Sequence, residues 1–199
     1  MRTYTITKKT DDLKWDNIPK VSIDNTCHTG EVDIEAWGQL CYDEDFLYVK
    51  LSSREENIRA EYTGPLDPPC QDSCLEFFFS PMEDYGRYFN IEMNPNCCVY
   101  FGFGSSIKQL MRLIPEGWDP LCPKANRTDN GWEVSYQVPF SLIQTFFPDF
   151  KAESGKRMRA NFYKCGDLTV KEHYFTWNPI TGDELSFHRP CDFGLVIFE

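Results

Sequence analysis

Two neighbouring segments carry the side chains most able to do chemistry. They are Asp72-Ser73-Cys74-Leu75-Glu76-Phe77-Phe78-Phe79-Ser80-Pro81 and Arg87-Tyr88-Phe89-Asn90-Ile91-Glu92-Met93-Asn94-Pro95. With the two-residue period of a strand, each sorts into two faces. Leu75, Phe77 and Phe79, with Phe89, Ile91 and Met93, make an ordinary apolar core face. Glu76 and Phe78, then Tyr88, Asn90, Glu92 and Asn94, fall on the other. A solvated sheet face normally carries long charged side chains or Thr. A face of Glu, Asn and Tyr has instead the short donors and acceptors that suit a polyhydroxylated ligand.

A third segment extends the pattern. In residues 157–163, Met158, Ala160 and Phe162 point to the core, and Arg157, Arg159, Asn161 and Tyr163 share the opposite face. Joined to Glu76, Asn90 and Glu92, they would set guanidinium and amide donors beside carboxylate acceptors, which suits vicinal hydroxyls. The same residues also fit a plain Arg–Glu ladder on a solvated sheet, in which Glu76 and Glu92 lie near Arg157 or Arg159 or open to water. Trp177-Asn178-Pro179 ends a short strand before Thr181-Gly182-Asp183. Trp177 fits either a platform for a pyranose ring, with Asn178 reaching its hydroxyls, or a core ring capping one end of the fold.

Glu76 and Glu92 also raise paired-carboxylate hydrolysis, which needs carboxyl groups roughly 5 to 9.5 Å apart. A Glu-rich binding face is expected without turnover as well, so no catalytic residue is assigned. His28, His173 and His188 are scattered and form no HExxH pattern, and no GxSxG, Walker loop or GxGxxG occurs. The short Gly102-Phe103-Gly104 run reads as a strand end and His188-Arg189-Pro190 as a turn. Nine cysteines, an odd number, lack paired CxxC spacing, so they read as reduced thiols rather than a zinc site or a disulfide framework. No cofactor is implied, and a structural calcium is not readable from the sequence.

Net charge is −11, with 31 acidic against 20 basic residues, which disfavours nucleic acid and anionic membranes and leaves neutral sugars compatible. The start, Met1-Arg2-Thr3-Tyr4-Thr5-Ile6-Thr7, has no apolar leader pattern, and no run approaches ~18 apolar residues, so a cytoplasmic chain is expected.

The elements that must position these groups are mainly strands. Residues 35–42 and 46–52 flank an acidic turn at 43–45, and 57–69, with its prolines, is a loop. Residues 74–79, 88–94 and 97–103 read as a meander. Residues 105–114 fit either a helix (Ile107, Leu110, Met111, Ile114) or a strand, and 115–123 is a loop exposing Trp118. Asp129-Asn130-Gly131 turns into a strand at 132–138, which Pro139 ends; 141–147 is the one short helix, with Ser141 as its N-cap. Strands at 157–165, 174–177 and 193–198 follow, with no repeat and no linker. The expectation is one all-β domain over residues 1–199: an antiparallel, jelly-roll-like β-sandwich with the helix packed outside the sheets.

Several segments together resemble the carbohydrate-binding module family 9-like proteins. They are Cys41-Tyr42-Asp43-Glu44-Asp45-Phe46-Leu47-Tyr48-Val49, Asp72-Ser73-Cys74-Leu75-Glu76-Phe77-Phe78, Tyr88-Phe89-Asn90-Ile91-Glu92-Met93-Asn94, Gly131-Trp132-Glu133 with Val138-Pro139-Phe140, Tyr174-Phe175-Thr176-Trp177, and Phe187-His188-Arg189-Pro190 with Asp192-Phe193-Gly194. They run in order from about Ala36 to the C-terminus. The resemblance implies a β-sandwich that binds an oligosaccharide or glycan end without a chemical step. It implies a grip between two Trp rings, with Glu and Arg or Asn groups on the hydroxyls. On this chain Glu76 takes the Glu position and Trp177 the C-terminal stacking Trp; strand parity, apart from the resemblance, adds Tyr88, Asn90, Glu92, Arg159 and Asn161 as candidate binding residues, with Asn178 at the strand end. Where the other Trp would stand, the chain has Pro68-Pro69-Cys70-Gln71, leaving Tyr62, Tyr85 or Trp118 as a second wall. Two further readings are a glycoside-hydrolysing or hydrolase-associated protein, and a haem-binding electron-transfer domain of the same superfamily shape, which uses a Met with a His or Lys as axial ligands; here Met93 falls on the core face and no partner for it stands out.

Overall fold

A computed structural model describes residues 1–11, 14–27, 30, 32–83, 86–114 and 119–199. His28, Tyr85 and Trp118 therefore lie outside the described residues. The strands are β1 (Thr3–Lys8), β2 (Val21–Ser22), β3 (Asn25–Thr26), β4 (Glu35–Tyr42), β5 (Phe46–Arg54), β6 (Cys74–Ser80) and β7 (Tyr88–Met93). They continue as β8 (Val99–Gly104), β9 (Met111–Arg112), β10 (Lys124–Thr128), β11 (Gly131–Pro139), β12 (Arg157–Gly166), β13 (His173–Thr176) and β14 (Gly194–Phe198). The one α-helix described, α1, spans Phe140–Phe146.

The main path of the sheet runs β10-β11-β5-β4-β1-β14-β12-β6-β7-β8-β9. It curls so that its two halves meet across one core: a Cβ built on Gly38 in β4 would lie 2.6 Å from the ring of Phe162 in β12. The expected core face is in place, with Leu75, Phe77, Phe79, Phe89, Ile91, Met93, Met158, Ala160 and Phe162 all buried in that core. The expectation of an antiparallel fold needs one correction. β1 pairs in parallel with β14 on one side and β4 on the other, and so closes the seam between the halves.

Local chemistry explains the turns and the helix. Asp43 accepts hydrogen bonds from the Asp45 and Phe46 amides at 3.0 and 2.9 Å and from the Tyr48 hydroxyl at 2.7 Å, an Asx turn that joins β4 to β5. The helix starts one residue before expectation, because Pro139 supplies the extended N-cap backbone; Ser141 lies inside it and makes no cap bond. Phe146 then packs on Phe103 with centroids 4.3 Å apart. Residues 105–114 become a short 3-10 turn, Ile107–Gln109, followed by β9, rather than a helix. No helix among the described residues is long and apolar enough to cross a membrane.

Candidate functional site

Register lines up the expected polar face into rows across β12, β6, β7 and β8. Tyr163 stands opposite Glu76, Glu76 opposite Glu92, and Glu92 opposite Tyr100. The next row is Asn161, Phe78, Asn90 and Gly102, with Arg112 of β9 beyond Gly102. Cys165 faces Cys74 one row the other way. Glu76, Tyr88, Asn90, Glu92 and Asn161 thus share one face of one sheet.

That face is covered, and the cover is built from polar anchors. Asp72, fully buried, accepts from the amides of Glu61 and Tyr62, both at 2.9 Å, and from the Asn94 side chain at 2.8 Å. Asn94 donates as well to the Tyr62 carbonyl and accepts from the Asn96 and Cys98 amides, which ties the 59–72 loop to the end of β7. On the other flank Asp192 accepts from the Thr181 amide and hydroxyl and from Arg189, at 2.9, 2.8 and 2.7 Å. This lays residues 181–192 over the sheet: Phe187 stacks on Tyr163 with centroids 4.2 Å apart, and Phe193 meets Tyr88 edge-on. Phe78, Tyr88, Tyr163, Phe187 and Phe193, with Cys74 and Cys165, form a second apolar layer outside the sheet.

Within this layer the two carboxyl groups find no base. Among the described residues no ion pair involves Glu76 or Glu92. Glu76 accepts a hydrogen bond from the Cys165 thiol at 3.0 Å, and Glu92 accepts one from the Asn90 amide at 2.7 Å. Burial and the neighbouring Glu92 hold the Glu76 carboxyl well above the usual carboxylate range. Burial pushes Glu92 up to about 7, against the lowering effects of Asn90 and Arg112. The Asn90 Oδ1 is buried and has no hydrogen-bond partner. It lies over Gly102, where an added Cβ would sit 2.7 Å from it and 2.7 Å from the Tyr100 ring. A missing side chain in β8 is what leaves this oxygen room. The rim beyond is half-buried: Tyr100, Arg112, Cys70, Asp167, Tyr174 and His188. His188 Nδ1 lies 2.9 Å from the Tyr88 hydroxyl, and burial depresses its pKa to about 4, so the ring is neutral.

The remaining expected residues sit elsewhere or are occupied. Trp177 is 3% exposed and belongs to the inner core, edge-on to Phe162 with centroids 5.6 Å apart. Gly194 makes room for it, since a Cβ there would come within 2.5 Å of the indole. Its ring is therefore on the opposite side of the sheet from Glu76, and the two do not share a pocket. Of the two fates open to this Trp, the core ring is the one adopted. Asn178 and Asn161 brace each other: Asn161 donates to the Asn178 carbonyl and accepts from its amide, both at 2.8 Å, and Asn178 donates to Asp192. Arg159 stands four residues along β12 from Tyr163, about 13 Å at strand rise, and reaches the Met1 sulfur at 2.8 Å, while Arg157 pairs with Glu83. The expected placing of Arg157 or Arg159 beside Glu76 and Glu92 is corrected: Cys165, Asn90 and Arg112 stand there. Tyr62 is committed to the loop through its hydroxyl bond to Gln71 at 2.7 Å. Met93 is a fully buried core residue.

A second buried polar cluster was not anticipated. Lys164, fully buried, pairs with Glu55 at 3.2 Å and donates to His173 Nε2 at 2.7 Å. Glu55 also accepts from Trp132 Nε1 at 2.5 Å and from Ser73 at 3.0 Å. His173 lies by the Lys171 carbonyl through Nδ1, and burial with the Lys164 charge lowers its pKa to about 4, so it accepts from Lys164 as a neutral ring. Continuing the parity of Phe162 by two residues would have pointed Lys164 inward.

Over residues 5–198 the sequence matches the family described as carbohydrate-binding family 9. The chain belongs to that family. Its members are non-catalytic carbohydrate-binding modules. No curated protein matches the chain in sequence. Among solved structures, a candidate carbohydrate-binding protein from Bacteroides uniformis superposes with a TM-score of 0.83 at 22% identity, covering 100% of this chain and 99% of that one. A carbohydrate binding module family 9 from Caldicellulosiruptor kristjanssonii, in complex with glucose, gives a TM-score of 0.71 at 13% identity, covering 100% of this chain and 96% of that one. The same description in complex with cellotriose gives 0.72 at 13%, covering 100% and 94%. At these identities the likeness is one of fold.

Proposed function

We propose that this family 9 module binds the end of a short oligosaccharide at the polar face of β6, β7 and β8, beside Asn90 and Glu92. The observation that carries the reading is Asn90. One end of its amide is given to Glu92, and the other is a buried acceptor with no partner, a costly state that a sugar hydroxyl would relieve. Glu92, beside it, offers the second acceptor, and half-buried Tyr100 and Tyr174 supply aromatic walls in place of a Trp pair. Glu76 supports the floor from the adjacent strand, and Tyr88 with His188 closes the far side. Glucose and cellotriose held by structurally similar modules make gluco-configured sugars the first to try.

No chemical step is part of this reading. Glu76 and Glu92 stand side by side on one face and both favour the protonated state, whereas glycoside hydrolysis places an acid and a charged partner on either side of the bond.

Calorimetry with glucose, cellobiose and cellotriose, run beside a reducing-sugar assay, tests the proposal. Binding without sugar release is expected, weakened about tenfold or more by Asn90→Ala or Glu92→Gln, since each removes a buried hydrogen bond worth about 1–3 kcal/mol. Trp37→Ala is the control, because Trp37 is a half-buried ring on β4 in the other half of the sheet. No heat with any sugar, or loss only in the Trp37 variant, overturns the site.

A further inference from the structure

We propose that Cys74, Cys165 and Glu76, with Cys70, form a binding site for a zinc-class divalent cation. The three groups come from facing strands: Cys74 and Cys165 are direct cross-strand partners of β6 and β12, and Glu76 is two residues along β6 on the same face. Their ligand atoms all lie within 4.8 Å of one another, and all three residues are buried. Cys165 Sγ is 3.0 Å from Glu76 Oε1 and 3.7 Å from the Cys70 carbonyl oxygen. Cys70 stands in the covering loop, its carbonyl beside the Cys165 thiol and its own thiol beside Asp167, as the nearest candidate for a further ligand. A tetrahedral zinc with sulfur at about 2.3 Å and carboxylate oxygen at about 2.0–2.2 Å holds its ligands roughly 3.5–3.8 Å apart. Small side-chain rotations would bring these groups to that spacing.

The donor set selects the metal. Thiolates with one carboxylate suit a borderline-soft ion such as zinc and not calcium or magnesium, which take oxygen ligands. Among the described residues no protein cation occupies the place. Glu76 makes no ion pair, and the nearest buried base, Lys164, is held by Glu55 on the inner face of the sheet. Binding would displace the thiol protons and the Glu76 carboxyl proton to solvent and leave a metal–thiolate–carboxylate centre that staples β6, β12 and the 69–71 turn together. The cation site shares Glu76 with the floor of the proposed sugar site, but metal binding is read without sugar, so the two readings fail separately.

The test uses the full chain, reduced and then freed of metal by chelator, titrated with cobalt(II). One equivalent should produce a near-ultraviolet thiolate-to-cobalt charge-transfer band and the intense visible bands of a tetrahedral site, both erased by zinc. Cys74→Ser and Cys165→Ser, each checked for a native circular dichroism spectrum, should lose the charge-transfer band or weaken cobalt binding by tenfold or more. Cys191→Ser, on the exposed surface, should leave it unchanged. The wild-type spectrum alone keeps the proposal falsifiable if a variant fails to fold. Absence of the band in the reduced wild type overturns it, as does a band that survives intact in folded Cys74→Ser and Cys165→Ser.

Discussion

At the scale of single residues, the polar face is a problem in protonation. Glu92, pushed up to about 7 by burial, keeps its proton in the folded chain where an unfolded Glu, near ~4.3, has lost it. Between those values the native state binds more protons than the unfolded one, so stability falls as pH rises through the window. Glu76 is raised too and acts in the same direction. His173 and His188, both depressed to about 4, act oppositely: the unfolded rings protonate near ~6.5, so their contribution rises with pH from about 4 to about 6.5. The difference between wild type and Glu92→Gln isolates the carboxyl. Urea unfolding should show the variant sparing up to about 3 kcal/mol of the loss between about pH 5 and about pH 8. Identical pH profiles for the two proteins would mean that Glu92 titrates as an exposed Glu. Trp177 makes the complementary case. As a core ring, its replacement by Ala should cost about 3–5 kcal/mol, and Trp177→Phe less, while a folded Trp177→Phe chain keeps any sugar affinity. A tenfold loss of affinity at unchanged stability in that variant would return the ring to the site.

At the scale of elements, alternation made β6, β7 and β12 legible with their core faces, because a two-residue period is written in each strand. What alternation does not encode is register between strands. The row Tyr163, Glu76, Glu92, Tyr100 depends on how the loops set the strands against one another. For the same reason the spacing of Cys70, Cys74 and Cys165 carries no metal motif: the last thiol arrives from a strand far along the chain. Nor does parity say whether a polar face is open. Asp72, Asn94 and Asp192 draw loops over it, so groups expected at a solvated surface are interior. Parity carried through β12 also sends Lys164 inward, where Glu55 meets it just after β5 and the pair bridges the halves of the sheet. Lys164→Met should cost about 3–5 kcal/mol, since it strands a buried carboxylate. Adding Glu55→Gln should recover a large part of that loss in chemical denaturation. A double variant no more stable than Lys164→Met would show that the amine acts through packing alone.

At the scale of the whole molecule, the fold closes through its first strand. Thr3-Tyr4-Thr5-Ile6-Thr7 alternates as a strand does, yet nothing local marks its partners, since one of them lies at the far end of the chain and both pairings are parallel. Parallel neighbours need no tight turn, so there is no turn signal to read. In the structure β1 lends Tyr4 and Ile6 to the shared core, and the Tyr4 hydroxyl donates to the Pro19 carbonyl at 2.8 Å and accepts from the Leu40 amide at 3.1 Å. That hydroxyl spans the region where β1 and β4, paired only at Thr7 with Cys41 and Lys8 with Tyr42, move apart. The C-terminus is tied to the same seam, with the Glu199 amide donating to Ile6 and the Tyr42 hydroxyl to the Glu199 carbonyl. Removing residues 1–8 would strip β4 and β14 of a common neighbour and leave two sheet edges unpaired. It would also expose apolar surface that burial of each large side chain stabilises by about 1.5–3 kcal/mol. The expected outcome is a chain that elutes as aggregate from size exclusion and shows no sharp thermal transition, whereas Tyr4→Phe, which removes only the hydroxyl, should elute as the full chain does at a cost of about 1–2 kcal/mol. A truncated chain that elutes free of aggregate and melts within a few degrees of the full one would show that the two halves hold together through their core without the seam.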